Sequence, residues 1–115
     1  MDKPLLWVGS SRSDLKAFPA AARRAAGFQL RRVQRGFEPD DWKPLPSVGI
    51  GAKEIRIHTG QEHRVIYVAK LEAGIYVLHA FEKKTRKTSG RDLDLARQRL
   101  RAVIRQRGPR EPERG

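Results

Sequence analysis

The fold is decided by residues 53–81, which read KEIRIHTGQEHRVIYVAKLEAGIYVLHAF. This stretch contains three runs rich in β-branched and aromatic residues, 53–59, 63–70 and 75–81. Turns of about four residues separate the runs, and such short connections predict an antiparallel meander of three strands. The second and third runs are apolar at successive positions, so both of their faces are apolar. We therefore expect both sides of the sheet to be covered.

Two helices are predicted before the meander. The apolar run at 5–8 precedes a glycine and favours a strand. A short helix follows it and ends at Phe18, and Pro19 suits the first turn of a second helix that reaches about Gln34. These helices form an N-terminal hairpin. Residues 37–52 are rich in proline and glycine and are predicted to be a loop.

An amphipathic helix is predicted after the meander. Ser89 fits its N-cap, and apolar residues recur at a spacing of three and four: Leu93, Ala96, Leu100, Val103 and Ile104. A second, cationic stripe contains Arg97, Arg101 and Arg105. The predicted order is β-α-α-β-β-β-α. It predicts a compact α+β domain, with helices packed on one face of a small antiparallel sheet.

Length and charge limit the organisation and the partners of this chain. The 115 residues suffice for one domain, which we assign to 1–107, followed by a disordered basic and proline-containing tail at 108–115. Lys and Arg number 25 against 13 Asp and Glu, a net charge of +12. Residues 81–115 hold 12 of the basic and 5 of the acidic residues. Such an excess favours a polyanionic partner.

Several classes of chemistry are excluded or find no support. Cysteine is absent, which excludes disulfides, iron–sulfur clusters, thiolate zinc sites and cysteine catalysis. No run is long enough to span a membrane and no signal-peptide pattern is present, so a cytoplasmic location without membrane contact is expected. The sequence contains no nucleophile elbow and no Walker-type loop. We interpret His58 and His63 as exposed strand-end histidines, and we expect neither a metal nor a cofactor.

Basic side chains are concentrated on and after the meander. Antiparallel pairing sets the beginning of the second strand beside the end of the third, so we expect Arg64 near Phe81 and Arg56 one strand away. His79 and Lys83 belong to the same region. The basic run after the third strand continues with Lys84, Arg86 and Lys87.

This combination suits a phosphodiester substrate. Cations neutralise the charge of a pentacovalent transition state, and an aromatic ring can stack on a base. RNA carries its own nucleophile, the 2′-OH, so a protein needs only to align it, remove its proton and neutralise charge. From the residues alone, binding without cleavage is the favoured interpretation, because a solvated basic face has the same composition.

Several segments share one known pattern: Lys3-Pro4-Leu5, Trp7-Val8-Gly9-Ser10-Ser11, Asp14-Leu15-Lys16, Lys43-Pro44-Leu45, Glu54-Ile55-Arg56, Arg64-Val65-Ile66-Tyr67 and Val77-Leu78-His79-Ala80-Phe81-Glu82-Lys83-Lys84-Thr85. Together with Ala96-Arg97 they resemble the HigB-like toxins of bacterial type II toxin–antitoxin systems, in the RelE/ParE superfamily. The resemblance spans about residues 3–105. It implies a RelE-like α+β fold and, for many members, ribosome-dependent cleavage of translated mRNA.

The resemblance also implies roles for individual residues. Arg56 and Arg64 would bind the scissile phosphate, and Lys83 would hold the RNA backbone or the leaving group. His79 is the candidate for proton transfer, with a role packed in the sheet as the alternative. RNA-binding roles fall to the remaining aromatic and basic residues: Phe81, Lys84, Arg86, Lys87, Arg97 and Arg101. The sequence departs from RelE-like toxins in having Glu54 in place of a lysine and no tyrosine near the C-terminus.

Partners and alternatives follow from the same resemblance. The toxin would act on mRNA on the ribosome, stop translation and growth, and be neutralised by a cognate helix-turn-helix antitoxin. Operator DNA would be bound only through the toxin–antitoxin complex. The alternatives are a ParE-like inhibitor of DNA gyrase that spares mRNA, and an inactive relative that acts as a nucleic-acid-binding regulator.

Overall fold

A computed structural model describes residues 2–107 of the chain. It contains five strands and three helices in the order β-α-α-β-β-β-β-α. Their bounds are β1 Leu5–Trp7, α1 Ser11–Lys16, α2 Ala20–Gln34, β2 Trp42–Pro44, β3 Ala52–His58, β4 Glu62–Val68, β5 Ile75–Glu82 and α3 Gly90–Arg107. The α+β class, the helical hairpin and the C-terminal helix are confirmed. The predicted tail at 108–115 lies outside the described residues.

The sheet has one strand more than predicted, and it is not purely antiparallel. Its strand order is β1-β5-β4-β3-β2. The meander β3-β4-β5 is antiparallel as predicted. The prediction that 37–52 is a loop throughout was wrong, because β2 pairs antiparallel with β3 at the edge of the sheet. Two backbone hydrogen bonds flank this short ladder, from Arg56 N–H to the Asp41 carbonyl and from Leu45 N–H to the Ala52 carbonyl.

β1 pairs with β5 in parallel, at the other edge of the sheet. The chain can approach this closely because residue 74 is a glycine. Gly74 has φ +153°, and a Cβ there would lie 2.6 Å from the carbonyl oxygen of Pro4. The neighbouring Ile75 N–H donates to that same carbonyl over 2.9 Å. The amino-terminal strand is thus joined to the last strand of the sheet.

Helices cover both faces of the sheet, so the prediction that they pack on one face was wrong, whereas the expectation of two covered faces is confirmed. The physical reason is that β4 and β5 are apolar on both sides. On the hairpin face, α1 and α2 bury a cluster that includes Phe18, Ala26, Leu30, Ile55 and Val65. On the α3 face, a second cluster is built from Leu45, Val48, Ala52, Ile66, Val68, Leu78, Ala96 and Leu100.

A β-bulge in β5 changes which side chains point to which face. Ile66 pairs with His79, but its neighbour Tyr67 pairs with Val77, so Leu78 is an extra residue in β5. Strict alternation would place His79 and Phe81 on the hairpin face with Val77. Beyond the bulge they instead align with Ile66 and Arg64 on the α3 face.

The apolar stripe of α3 is narrower than predicted. Ala96, Leu100 and Val103 are buried, as the spacing predicts. Ile104 is 50% exposed, so its assignment to the buried stripe was wrong. It follows Val103 by about 100° around the helix axis, which turns its side chain past the edge of the sheet-facing stripe.

Candidate functional site

The strand register brings three of the predicted site residues side by side. Arg56 on β3 lies directly opposite Arg64 on β4, and Arg64 lies directly opposite Phe81 on β5. His79 is on the same face because of the bulge. These four residues, Arg56, Arg64, His79 and Phe81, are called the central cluster. It lies on the α3 face, near the end of β5, which leads into the 83–88 loop.

Arg64 is the buried cation of the central cluster. Its side chain is 7% exposed, although arginine is normally at the surface. One terminal nitrogen lies 3.0 Å from Oε1 of Glu62 and donates to the His63 carbonyl over 2.9 Å. Nε lies 3.9 Å from Oε1 of Glu54. Burial of this charge is therefore compensated by two carboxylates, and its guanidinium has a fixed orientation.

Glu54 is a residue whose role was not predicted. Glu54 is fully buried on the same face of β3 as Arg56, next to the 83–88 loop. Its Oε2 accepts a hydrogen bond from Thr88 Oγ1 over 2.7 Å. Glu54 thus links Arg64 to the loop that carries the basic run. The only sequence signal was the replacement of a lysine by an acid at this position.

His79 is held by an acidic partner from α3. Its Nε2 lies 2.7 Å from Oδ1 of Asp92, and Oδ2 of Asp92 accepts from Ser89 Oγ over 2.7 Å. The ring stacks on Phe81, with centroids 4.6 Å apart and an interplanar angle of 22°. The predicted N-cap at Ser89 is confirmed, because Ser89 Oγ accepts from Asp92 N–H. The second function of Asp92, orienting His79, was not predicted.

Arg56 lies at the exposed side of the central cluster, next to a pair of carboxylates that share a histidine. One Arg56 nitrogen is 3.8 Å from Oδ1 of Asp41. The other oxygen of Asp41 is 2.7 Å from Nε2 of His58, and Nδ1 of His58 is 2.7 Å from Glu62. The hydrogen bond that His58 donates to Glu62, followed by the one it donates to Asp41, raises the pKa of His58 above its ordinary value of 6.5. The same hydrogen bond between His58 and Glu62 lowers the pKa of Glu62.

The basic run after β5 divides into one internal and three exposed side chains. Lys83 Nζ folds back and donates to the carbonyls of Thr85 and Arg86, over 2.7 and 2.5 Å. The ammonium group therefore shapes its own loop. The exposed members are Lys84, Arg86 and Lys87. Beside them, a groove of about 460 Å³ runs from His79 to the first turn of α3 and is also lined by Lys84 and Arg91.

Two predicted RNA-binding residues lie apart from the central cluster. Arg97 Nε donates to the Ser47 carbonyl over 2.8 Å, and its terminal nitrogen pairs with Asp94. Arg101 is exposed about three turns beyond the start of α3. Within residues 2–107, no hydrogen bond or ion pair joins either arginine to the central cluster.

The interpretation of His63 as an exposed histidine was wrong. Its side chain is 2% exposed and its ring packs on Phe18, with centroids 4.4 Å apart. The residue opposite it, Ile57, belongs to the hairpin core, so the register directs His63 beneath the end of α1. His58 is exposed, as predicted. No group of three or more His, Cys, Asp or Glu in the described part of the chain is arranged to hold a metal ion.

The site therefore combines two neighbouring arginines with an imidazole that is held by a carboxylate. Arg56 and Arg64 supply adjacent positive charges from two strands. His79 supplies an imidazole that is oriented by Asp92, and its Nδ1 is buried without a hydrogen-bond partner among the described residues. Exposed cations extend this surface along the loop.

The chain is a member of a RelE-like class of proteins associated with toxin–antitoxin systems. The chain belongs to the family described as phage-derived protein Gp49-like (DUF891), whose model matches residues 13–101. That family supports a toxin role and an antitoxin partner. A comparison with curated proteins found no match. None of the helices between residues 2 and 107 has the length and apolar character required to cross a membrane.

Proposed function

We propose that this protein is a HigB-like toxin that cleaves mRNA on the ribosome without a metal ion, and thereby stops translation and growth in the cytoplasm. One observation carries the proposal, namely the pairing of Arg56 with Arg64 on the same sheet face as the His79–Asp92 pair. A phosphodiester across β3 and β4 would contact both arginines. The neighbouring β5 would supply the proton-transfer group.

Each group has a defined task in this proposal. The 2′-OH of the RNA attacks phosphorus, the bond to the 5′ oxygen breaks, and a 2′,3′-cyclic phosphate and a 5′-OH result. Arg56 and Arg64 neutralise the charge that develops on the phosphoryl oxygens. His79 takes the proton from the 2′-OH and returns a proton to the departing 5′ oxygen, and Asp92 fixes the orientation of its ring. Phe81 stacks on a base, as aromatic side chains do in many single-stranded RNA sites.

The basic residues outside the central cluster bind without reacting. Lys84, Arg86 and Lys87 are exposed and would contact RNA phosphates, which makes affinity dependent on salt. Lys83 orders this loop through its carbonyl contacts. Arg97 and Arg101 would contact the ribosome or more distant phosphates. A cognate helix-turn-helix antitoxin would neutralise the toxin, and the complex would bind operator DNA.

A second candidate is a toxin or regulator that binds its target without cleaving RNA. Carboxylates already partner both arginines and the imidazole of the site, and this arrangement favours the second candidate. They are Asp41, Glu54, Glu62 and Asp92. Inhibition of DNA gyrase belongs to this class. It predicts DNA breaks and filamentation with intact mRNA.

The test is induced expression without an antitoxin, followed by mapping of new 5′ ends in cellular mRNA. We compare the wild type with Arg56→Ala and with Arg56→Ala/Arg64→Ala. The single variant matters because Arg56 has a side chain 36% exposed, so its loss should not disturb the fold. Arg24→Ala/Arg35→Ala is the matched control, since it removes two exposed charges from the hairpin.

Growth arrest with new 5′ ends inside translated messages is expected for the wild type and the hairpin control. Both arginine variants should lose at least about 100-fold in cleavage, in the range known for a lost charge-stabilising group. Arrest with intact mRNA would reject the nuclease and direct the search to gyrase. Absence of arrest in the wild type would leave a purely binding protein.

A further inference from the structure

A separate surface at the β2 edge contains an exposed apolar groove. Its lining includes Trp42, Pro44, Pro46 and Ile50, and its volume is about 420 Å³. We call it the edge groove. Trp42 pairs with Ile55, whose side chain belongs to the hairpin core, so Trp42 points to the face opposite the central cluster. A ligand in the edge groove would leave Arg56 and Arg64 accessible.

The exposure of Ile50 is the strongest sign that the groove is used. Ile50 is 92% exposed, the largest value among the exposed large apolar residues of the described chain. Other apolar residues in the same connection, Leu45 and Val48, are buried against α3. The loop therefore buries two of its three large apolar side chains and turns the third towards the groove. Exposed apolar surface of this kind is typical of a protein-binding site.

Lysines at the rim define the charge of the partner. Lys53 Nζ lies 4.5 Å from the ring centroid of Trp42 and is bound to Glu38. The Lys70 side chain lies against Gly51, which has φ +82°. A Cβ at residue 51 would lie 3.1 Å from Cδ of Lys70, so the glycine leaves room for the lysine side chain. No ion pair of Lys70 occurs within residues 2–107. An acidic side chain of a partner would form an ion pair with Lys70.

The backbone of β2 favours a partner in extended conformation. The Asp41 carbonyl and the Leu45 N–H form hydrogen bonds with β3. Because successive residues of an edge strand alternate in direction, the N–H and C=O of Trp42 point away from the sheet. An extended segment beside this edge places alternate side chains over the groove. A second copy of this chain fits poorly, because each copy carries a net charge of +12.

We propose that the edge groove binds an extended polypeptide segment of a partner protein, with apolar side chains over Trp42 and Ile50 and acidic side chains beside Lys53 and Lys70. The inference does not depend on RNA cleavage, since it concerns another face of the molecule. It adds a protein-binding surface that stays open while the central cluster is occupied by nucleic acid.

The experiment titrates the full-length protein with three short peptides and follows tryptophan fluorescence. The first peptide alternates Glu and Leu, the second alternates Lys and Leu, and the third alternates Glu and Ser. Trp42 reports on the groove directly, and Trp7→Phe removes the other tryptophan signal. Ile50→Ser tests the groove. Phe28→Ser is the matched control, because Phe28 is 58% exposed on α2 and lies outside the groove.

We expect the Glu–Leu peptide to shift Trp42 emission to shorter wavelength and to bind at least about tenfold more tightly than the other two. Ile50→Ser should weaken it by at least about tenfold, and Phe28→Ser by less than about twofold. Equal binding of the Lys–Leu peptide, equal loss in both variants, or no binding of the Glu–Leu peptide would overturn the proposal. A dimer in light scattering that Ile50→Ser abolishes would also overturn it, in favour of a second copy.

Discussion

The two faces of the sheet differ in what they bury. The hairpin face buries apolar side chains, and the one imidazole among them, His63, packs against Phe18. The α3 face buries apolar residues towards one end of the sheet and the pair Glu54 and Arg64 towards the other. The first face can be packed for stability alone. The second must also hold charges in place, at a cost in desolvation that only good pairing offsets.

The largest expected effect is the loss of an apolar side chain from the hairpin face. Leu30→Ala should lower the free energy of unfolding by about 2–5 kcal/mol, because Leu30 is 2% exposed and its loss leaves a cavity between α2 and the sheet. Urea unfolding measures this change. Phe28→Ala on the same helix is the control and should change stability by less than about 1 kcal/mol. Equal effects of the two variants would contradict the assignment of this face.

An intermediate effect is expected for the buried carboxylate on the α3 face. Glu54→Gln keeps a hydrogen-bond acceptor for Thr88 but removes the negative charge beside Arg64. It should lower the free energy of unfolding by about 1–3 kcal/mol. It should also weaken RNA binding, because the guanidinium loses a carboxylate that fixes its orientation.

The control for that variant is Glu38→Gln. Glu38 forms an exposed ion pair with Lys53, and its loss should cost less than about 1 kcal/mol. Urea unfolding and RNA titration are measured on both proteins. If Glu54→Gln proves as stable as the control and binds RNA normally, Glu54 does not position Arg64.

The smallest effect concerns pH. Because the pKa of His58 is raised in the folded protein, its contribution is complete below 6.5 and is lost as the pH rises through the raised value. The pKa of Glu62 is lowered, so its contribution is present above 4.5 and is lost on acidification. His58 is half exposed, which limits its contribution to about 0.2–1 kcal/mol.

His58→Gln should remove this dependence, and the free energy of unfolding between pH 6 and 8 should become flatter than in the wild type. The measurement is urea unfolding at several values of pH. An unchanged slope would mean that another group titrates there. Glu38→Gln should retain the wild-type slope, because Glu38 pairs with Lys53 and not with His58.

Much of this fold could be predicted from local patterns. Apolar periodicity predicted the meander and both long helices, because these elements bury one or two continuous faces. β2 escaped prediction since its three residues lie among prolines, and its conformation is fixed by hydrogen bonds to β3 and not by its own composition. The parallel pairing of β1 with β5 is equally invisible locally, because the partners are far apart in the sequence.

The site was predicted in part, for a related reason. The register of the meander predicted that Arg56, Arg64 and Phe81 are neighbours. It did not predict the bulge that turns His79 towards the same face, because an extra residue in a strand leaves no composition signal. Nor did it predict the burial of Glu54, which depends on Thr88 folding over it from a distant loop. The pairing of consecutive strands can be predicted from the sequence, whereas the burial of a side chain beneath a distant loop cannot.

The parallel strand at the edge also bears on how the protein is made. Of the described strands, β1 leaves the ribosome first, yet its partner β5 is synthesised after all the others. A similar sequence separation, 66 residues, lies between Ser11 and the Val77 carbonyl to which its hydroxyl donates. Closing so long a loop is entropically costly, and β1 and α1 must wait for it. A nascent chain that stops before β5 would have no complete sheet, so synthesis itself delays the appearance of a folded toxin.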